Sequence, residues 1–215
     1  RHWLDVARWA EDNPTSEATN RPHPDGWRYR DWVIEAINDD LPYDRFLVMQ
    51  LAADRLPDFR RNDLRALGYL GTAPTYHKDP RLSKTVIETI ATDDWDERVD
   101  AISRGLLGLT VACARCHRHK FDAITQQDYY SLAGVFNNTK MVVKTMATPA
   151  QQKAYNDHQA AIKRLDGEVK KLATEIGKAG KNATAAQKNN LTKQRGELKR
   201  LRETAPPALP LAHVL

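Results

Sequence analysis

The chain has 215 residues, of which 41% are hydrophobic and 28% are charged, a composition that excludes both a disordered chain and a membrane-embedded one. Its longest apolar stretch, residues 105–114, is shorter than the roughly 18 apolar residues of a membrane span, so no transmembrane segment is predicted. The formal net charge of +5 is concentrated in residues 150–205, where 13 Lys and Arg face 6 Asp and Glu, so no nucleic-acid partner is predicted.

The first two thirds of the chain show helical rather than strand periodicity. Apolar residues at helical spacing predict helices over residues 1–11, 27–38, 43–51, 64–70, 86–113 and 126–136. Polar, Pro-containing loops are predicted over residues 13–26 and 56–84, the second around the short helix at 64–70. Thr125 and Asp128 resemble an N-cap with an acidic residue at N3, which marks the start of the last of these helices. Because sustained period-2 alternation is absent, the fold is predicted to be mainly α.

The C-terminal segment carries the clearest helical pattern. Thr148 and Gln151 form a capping box with Pro149 at the first helical position, and Thr184 and Gln187 form a second capping box. After the first box, a heptad seam predicts a coiled-coil-like helix, and residues 177–182 form the turn that ends it. The seam consists of Tyr155, His158, Ile162, Leu165, Val169, Leu172 and Ile176, and a weaker stripe of Leu191, Leu198 and Leu201 follows. We therefore predict an irregular helical domain at 1–147, an antiparallel helical hairpin at 148–205 that serves as a spacer or interaction arm, and an extended Pro-rich tail at 206–215.

The motif with the most chemical content is Cys113-Ala114-Arg115-Cys116-His117. In c-type haem attachment, two thiols add to the porphyrin vinyl groups and the adjacent imidazole ligates the iron. Two residues between the cysteines set the thiols at the separation of the vinyl groups, and the His follows directly. Cys113, Cys116 and His117 meet these demands, and the chain has no other cysteine. The motif therefore predicts one covalent haem c, with His117 as an axial iron ligand.

Two other chemistries use the same residue types. A thioredoxin-like redox pair also has the Cys-x-x-Cys spacing, but it needs a preceding strand and a βαβ setting, which the pattern does not show. A zinc site can use Cys113, Cys116 and either His117 or His119. Structural zinc usually takes a second ligand pair from elsewhere, and no further cysteine exists to supply one. Both alternatives stay open beside haem.

The opposite side of the iron has several candidate ligands. A low-spin electron carrier needs a sixth ligand, His or Met, whereas a sensor or catalyst leaves that position open. His77, in the loop around Thr75 and Tyr76, is the preferred candidate for this distal ligand; His2, Met49, Met141 and Met146 are the others. His119 is too close to His117 to reach the other haem face, so we expect it to cap a backbone group or contact a propionate.

Further side chains are candidates for supporting contacts with a haem. Arg115, Arg118 and Lys120 surround the motif and can offset the propionate charge, although plain solvent exposure is the simpler role for each. Trp27, Tyr29 and Trp32 can line a haem pocket, although core packing is the commoner role of such a helix.

Several stretches of the chain resemble one family. They are Arg1–Arg8, Trp27–Ile34, Leu41–Phe46, Arg104–Val111 leading into the Cys-x-x-Cys-His motif, and His119–Asp122. Together they are similar to a planctomycete-type cytochrome c domain, a family first described as a domain of unknown function, over roughly residues 1–140. Arg118 stands where that family usually carries Asp, and Ala123 where it usually carries Pro; neither change removes a haem-attaching residue. The resemblance implies haem binding and an exported, multidomain parent protein, and it supplies no established reaction.

Electron transfer is the leading functional hypothesis, with the haem relaying electrons between a partner protein or domain and another carrier. The alternative from another class is a structural or interaction module in which the site holds zinc or a peripheral haem. A haem enzyme is favoured only if the distal position is open, and no acid–base pair, nucleophile triad or phosphate loop indicates another catalyst. Because haem c attachment takes place after export, a periplasmic, cell-surface or extracellular location is expected.

Overall fold

The computed structural model describes residues 1–9, 23, 25–76 and 78–215, and it confirms the mainly α fold class. The first helix, predicted over residues 1–11, is shorter than expected: it ends at Val6, and Arg8 has a left-handed φ of +52°. Residues 10 and 11, most of the predicted loop at 13–26 and His77 lie outside the described residues. The described helices are α1 (His2–Val6), α2 (Trp27–Asn38), α3 (Tyr43–Ala52), α4 (Gly68–Gly71), α5 (Lys84–Leu107), α6 (Gln126–Asn137), α7 (Pro149–Ala179) and α8 (Ala185–Glu203). Four 3-10 segments join them, at Ala53–Arg55, Arg61–Leu67, Val111–Arg115 and Gly180–Asn182. None of these helices is long and apolar enough to span a membrane.

The described residues form two compact units. The first consists of Arg1–Met146 together with Leu211–Leu215, and the second of Ala147–Pro210. The last residues of the chain thus belong to the first unit, in which Leu211–Val214 form a strand within the segment predicted to be an extended tail.

The core of the first unit is built around aromatic side chains that share one buried amide. The Trp3 indole N–H lies 3.0 Å from the Tyr29 hydroxyl and 2.9 Å from Gln50 Oε1. The Tyr29 hydroxyl donates to the same Gln50 oxygen at 2.6 Å, and Gln50 Nε2 donates to the Phe46 carbonyl at 3.0 Å. Gln50 is only 1% exposed, so these bonds satisfy a polar group whose burial would otherwise be costly. Burial raises the pKa of Tyr29 far above its ordinary value, which keeps it a donor.

The aromatic residues of α2 have a structural role. Tyr29 and Trp32 are buried in this core, and the Trp32 ring stacks on Phe46 with the ring centroids 5.3 Å apart. Trp27 is exposed, and the Arg28 guanidinium lies 4.3 Å from its ring centroid. The suggestion that Tyr29 and Trp32 line a haem pocket is therefore replaced by core packing.

Helix α5 is the element on which the candidate site is built. It begins at a Ser83 cap, whose hydroxyl accepts the Val86 amide at 3.4 Å. The sequence pattern predicted one helix through Cys113, but Gly108 adopts a left-handed φ of +67° and ends the helix at Leu107. Such a φ is unstrained only for glycine, which explains why the helix stops here. The Cys-x-x-Cys-His motif therefore lies on a separate turn.

A two-stranded antiparallel sheet completes the first unit. β1 (Val142–Thr145) pairs with β2 (Leu211–Val214), with Val142 opposite Val214. A Cβ atom on Gly71 would lie 2.2 Å from the His213 carbonyl oxygen, so only glycine allows β2 to approach α4 this closely. The sequence carries no signal for this sheet, because each strand has only four residues and the two strands are far apart in the chain.

The second unit is the predicted helical hairpin. Both predicted capping boxes are present, with the Thr148 and Thr184 hydroxyls accepting the amides of Gln151 and Gln187. The seam residues are less exposed than their neighbours, and Val169 and Leu198 are buried. His158 Nε2 donates to the Leu201 carbonyl at 2.9 Å, which brings the end of α8 back to the first half of α7. Helix α7 continues through Gly177 to Ala179, slightly beyond its predicted end.

Candidate functional site

The Cys-x-x-Cys-His motif begins on the 3-10 segment Val111–Arg115, which packs against both α5 and α6. The Cys113 amide donates to the Thr110 carbonyl at 3.0 Å and closes the first turn of the motif. Val111 and Ala114 point into the protein core, and Ala114 has 0% exposure. The motif is therefore anchored from behind by side chains that carry no chemistry.

The chemically competent side chains face the other way. Cys113 and Cys116 are exposed free thiols, and His117 is exposed as well. Between the cysteines, Ala114 is buried and the half-buried Arg115 side chain lies against α5, whereas the two thiols and the imidazole are exposed. A group that bonds covalently to both thiols needs this accessibility. The donor set and its exposure therefore fit a c-type haem.

Arg115 fastens the turn to both neighbouring helices. Its guanidinium lies 3.2 Å from a carboxylate oxygen of Asp93 and 3.5 Å from one of Asp96, both on α5. The Arg115 carbonyl oxygen accepts hydrogen bonds from the Gln126 side-chain Nε2 at 3.1 Å and from the Tyr130 hydroxyl at 3.3 Å, and both residues lie on α6. The simple solvent exposure expected for Arg115 is therefore wrong. In the sequence, Asp93 and Asp96 are three residues apart and so lie on one face of α5. The sequence does not predict that this face packs against Arg115, because that contact depends on the tertiary structure.

The charges behind the turn reinforce each other. Burial lowers the pKa of Arg115, but its hydrogen bond to Asp93 and the nearby negative charges outweigh burial and raise that pKa overall. The Tyr129 hydroxyl donates to Asp96 at 2.7 Å, and burial together with this bond raises the pKa of Tyr129. Arg115 thus stays charged and Tyr129 stays a neutral donor, so both hold the carboxylates of α5 at neutral pH.

His117 has a defined tautomer. Its Nδ1 lies 2.7 Å from the carbonyl oxygen of Arg118. Because a carbonyl oxygen only accepts hydrogen bonds, Nδ1 carries the proton and the neutral ring has its lone pair on Nε2. A bond from Nδ1–H to a backbone carbonyl is the usual way in which proteins orient a histidine that ligates a metal. The exposed Nε2 of His117 is therefore prepared to act as a ligand.

His119 is the structural counterpart of His117. It is 7% exposed, and its Nδ1 accepts the amides of Asp122 at 2.8 Å and Phe121 at 3.3 Å. Its Nε2 then carries the proton and donates to the Thr110 hydroxyl at 2.9 Å. Both ring nitrogens are engaged, so the expectation that His119 caps a backbone group is confirmed. The Thr110 bond also ties together the two ends of the loop that carries the motif.

Two cations remain available at the motif. Arg118 and Lys120 are exposed and have no carboxylate partner among the described residues, whereas Arg104 pairs with Asp100 at 2.9 Å. The hydrogen bond to Asp100 raises the pKa of Arg104. Of the cations that the sequence analysis placed around the motif, Arg118 and Lys120 are thus the ones free to meet the carboxylates of a bound group.

The candidates for a sixth iron ligand have different environments. His77 lies outside the described residues, so its role stays a prediction. His2 is fully exposed, and Met49 is buried in the aromatic core. The Met141 sulfur accepts hydrogen bonds from Arg98 at 2.8 Å and from Thr75 at 3.4 Å, and Met146 packs against the core. Each of these other residues thus has a local explanation that needs no iron.

A preformed zinc site is not found in the described part of the chain. No group of three or more His, Cys, Asp or Glu side chains there is arranged to hold a metal ion. A structural zinc ion needs four such donors, whereas haem iron needs one or two from the protein.

The fold and the site define a mainly α domain that displays a Cys-x-x-Cys-His turn on its surface. The chain belongs to the family PSCyt2, described as proteins of unknown function (DUF1549), whose sequence model matches residues 1–141. The matched residues include the whole Cys-x-x-Cys-His turn and α1 to α6, and they end before β1. Comparisons with curated proteins and with solved structures give no match.

Proposed function

We propose that this chain is a c-type monohaem electron-transfer domain of a larger exported protein. The observation that carries the proposal is the division of the motif into two sides. Ala114 and Arg115 hold the turn from within, while Cys113, Cys116 and His117 are presented outward. This arrangement leaves all three haem-attaching groups accessible on a fixed piece of backbone.

Each residue of the site would make a different contact with the haem. Cys113 and Cys116 would form the two thioether bonds, and His117 Nε2 would ligate the iron. Arg118 and Lys120 would offset the propionate charges, since neither is paired with a carboxylate of the described residues. The bound haem would supply a one-electron Fe(III)/Fe(II) couple.

An electron carrier agrees with the remaining side chains of the site better than a catalyst does. A general acid or base needs a titratable group free to exchange a proton with a substrate. The two groups behind the motif that would qualify are engaged, His119 with Thr110 and backbone amides, and Tyr129 with Asp96. We propose a redox protein or another domain of the same polypeptide as the partner. The proposed location is periplasmic, cell-surface or extracellular, because haem c attachment takes place after export.

The test is a pyridine haemochrome spectrum of the full chain, produced with export and a c-type maturation system and then extracted with acidic acetone. We expect a c-type α-band that resists extraction. Changing Cys113 and Cys116 to Ala should abolish it, whereas changing exposed Tyr43 to Ala should leave it unchanged. A colourless protein, or a pigment that acid–acetone removes from the unaltered chain, would overturn the proposal.

The second candidate function is an interaction module, and the helical hairpin favours it. Lys163, Lys171 and Lys178 lie on the side of α7 away from the seam, are exposed, and lack a carboxylate partner among the described residues. A colourless protein that retains this hairpin would promote this reading, with the hairpin making contacts to an acidic partner.

A further inference from the structure

Phe121 is the most exposed large hydrophobic side chain of the described residues, at 83% exposure, and it lies four residues after His117. Single exposed apolar residues are common, so exposure alone does not indicate a ligand.

The backbone beneath Phe121 is held in place. His119 Nδ1 accepts the Phe121 and Asp122 amides, and the His119 amide donates to the Ile124 carbonyl at 3.0 Å. These bonds fold residues 119–124 into a closed turn tied through His119 to Thr110, at the start of the motif loop. Phe121 is therefore carried by a turn that hydrogen bonds hold closed, and Lys120 Nζ lies 5.1 Å from its ring centroid.

A second aromatic residue flanks the motif from α6. Tyr130 is 56% exposed, and its hydroxyl donates to the Arg115 carbonyl, one residue before Cys116. Its ring meets Tyr129 edge-to-face with the centroids 5.0 Å apart, which fixes its orientation. One exposed aromatic residue thus bonds to the backbone just before Cys116, and another follows His117 by four residues on a closed turn.

We infer that Phe121 and Tyr130 are the apolar contacts of the porphyrin at this site; the inference rests on the proposed function. A porphyrin is a large apolar ring, and its burial against aromatic side chains removes surface from water on both partners. Of the two residues, Phe121 contributes more, because its ring is the more exposed in the absence of haem and has no hydrogen bond to lose.

The experiment compares thermal unfolding of the full chain with and without covalent haem, for the unaltered protein, Phe121→Ala, Phe121→Leu and the matched control Tyr43→Ala. Tyr43 is also an exposed aromatic residue, at 61%, and lies on α3. Trp fluorescence reports the first unit alone, because all five Trp residues lie within Arg1–Met146. The measured quantity is the rise in Tm on haem attachment.

We expect Phe121→Ala to leave the Tm of the haem-free chain unchanged and to reduce the haem-induced rise by about 3 °C or more, as expected for loss of one buried Phe in a protein of this size. Phe121→Leu should keep most of the rise, and Tyr43→Ala all of it. An undiminished rise in Phe121→Ala would overturn the inference and leave the proposed function standing. Failure of the unaltered chain to acquire haem would overturn the proposed function, and the inference with it.

Discussion

His117 and His119 are two residues apart in the sequence, and the structure predicts opposite consequences when each is changed to Ala. His119 is buried and makes three hydrogen bonds, to Thr110 and to the amides of Phe121 and Asp122. His117 is exposed and bonds only to the carbonyl of the next residue. The change at His119 should therefore destabilise the haem-free protein, and the change at His117 should not.

The magnitude follows from the hydrogen bonds. A net contribution of about 0.5–1.5 kcal/mol per bond, reduced because water can reach the amides at exposed Phe121 and Asp122, gives a loss of about 1–2 kcal/mol for His119→Ala. In a protein of this size that loss corresponds to a fall in Tm of about 2–8 °C. For His117→Ala the change in unfolding free energy should stay within about 0.5 kcal/mol, as for other surface substitutions.

The assay is thermal unfolding of the haem-free chain followed by Trp fluorescence, with the visible spectrum of the haem-loaded chain as a second readout. His119→Ala should lower the Tm and keep the spectrum of the unaltered holoprotein, whereas His117→Ala should keep the Tm and change the spectrum. An unchanged Tm for His119→Ala would refute the structural role assigned to this residue. A holoprotein spectrum that does not respond to His117→Ala would refute its assignment as the iron ligand.

Three further predictions concern the rest of the fold. Asp40 has a φ of +51°, so Asp40→Gly should raise the free energy of unfolding in urea by about 0.5 kcal/mol. Burial lowers the pKa of His213, although the nearby Asp25 acts to raise it. As the pH falls below about 6.5, the unfolded chain therefore takes up a proton at His213 before the folded chain does, and stability falls. His213→Gln should weaken this dependence in Tm measurements between about pH 7 and 5. Leu198→Ala should destabilise the helical hairpin by about 2–3 kcal/mol, seen as a lower midpoint in circular dichroism, whereas Lys188→Ala should not.

Controls separate these effects from general ones. Asp39 follows α2 with a φ of −83°, so Asp39→Gly should destabilise where Asp40→Gly stabilises. His2 is fully exposed, so His2→Gln should leave the pH dependence as it is. A gain in stability from Asp39→Gly, or equal pH profiles for His213→Gln and the unaltered chain, would contradict the reasoning.

Local signals predicted the starts of three helices, and apolar spacing alone gave the bounds of another. Helix α2 has the predicted bounds, and the Thr125, Thr148 and Thr184 caps open α6, α7 and α8 as expected. The predicted end of α5 was wrong, because the apolar spacing continues past Gly108. The left-handed backbone conformation of Gly108 is what ends the helix. The β1–β2 pair had no signal, since four-residue strands gain their stability from a partner distant in the sequence.

The candidate site shows the same limit in its side chains. The sequence singles out Cys113, Cys116 and His117 because their spacing is the one that the proposed haem attachment would require. It does not distinguish Arg115 from Arg118, since both are cations beside the motif, and only packing on α5 pairs Arg115 with carboxylates. The hydrogen bond between His119 and Thr110 likewise depends on how the loop between them folds, which neither residue type predicts.

The two residues between the cysteines satisfy two demands at once. The proposed haem attachment requires two residues between the cysteines, and packing determines which residue types fit there. Ala114 has no exposed surface, so a larger side chain there would push the turn off the core, and a neutral residue in place of Arg115 would leave Asp93 and Asp96 without their cation. The outward side chains are therefore constrained by the proposed chemistry and the inward ones by packing. If the proposed haem binding holds, exchanging either set should impair it: the outward residues because they would bond to the haem, and the inward ones because they hold the turn on α5 and α6.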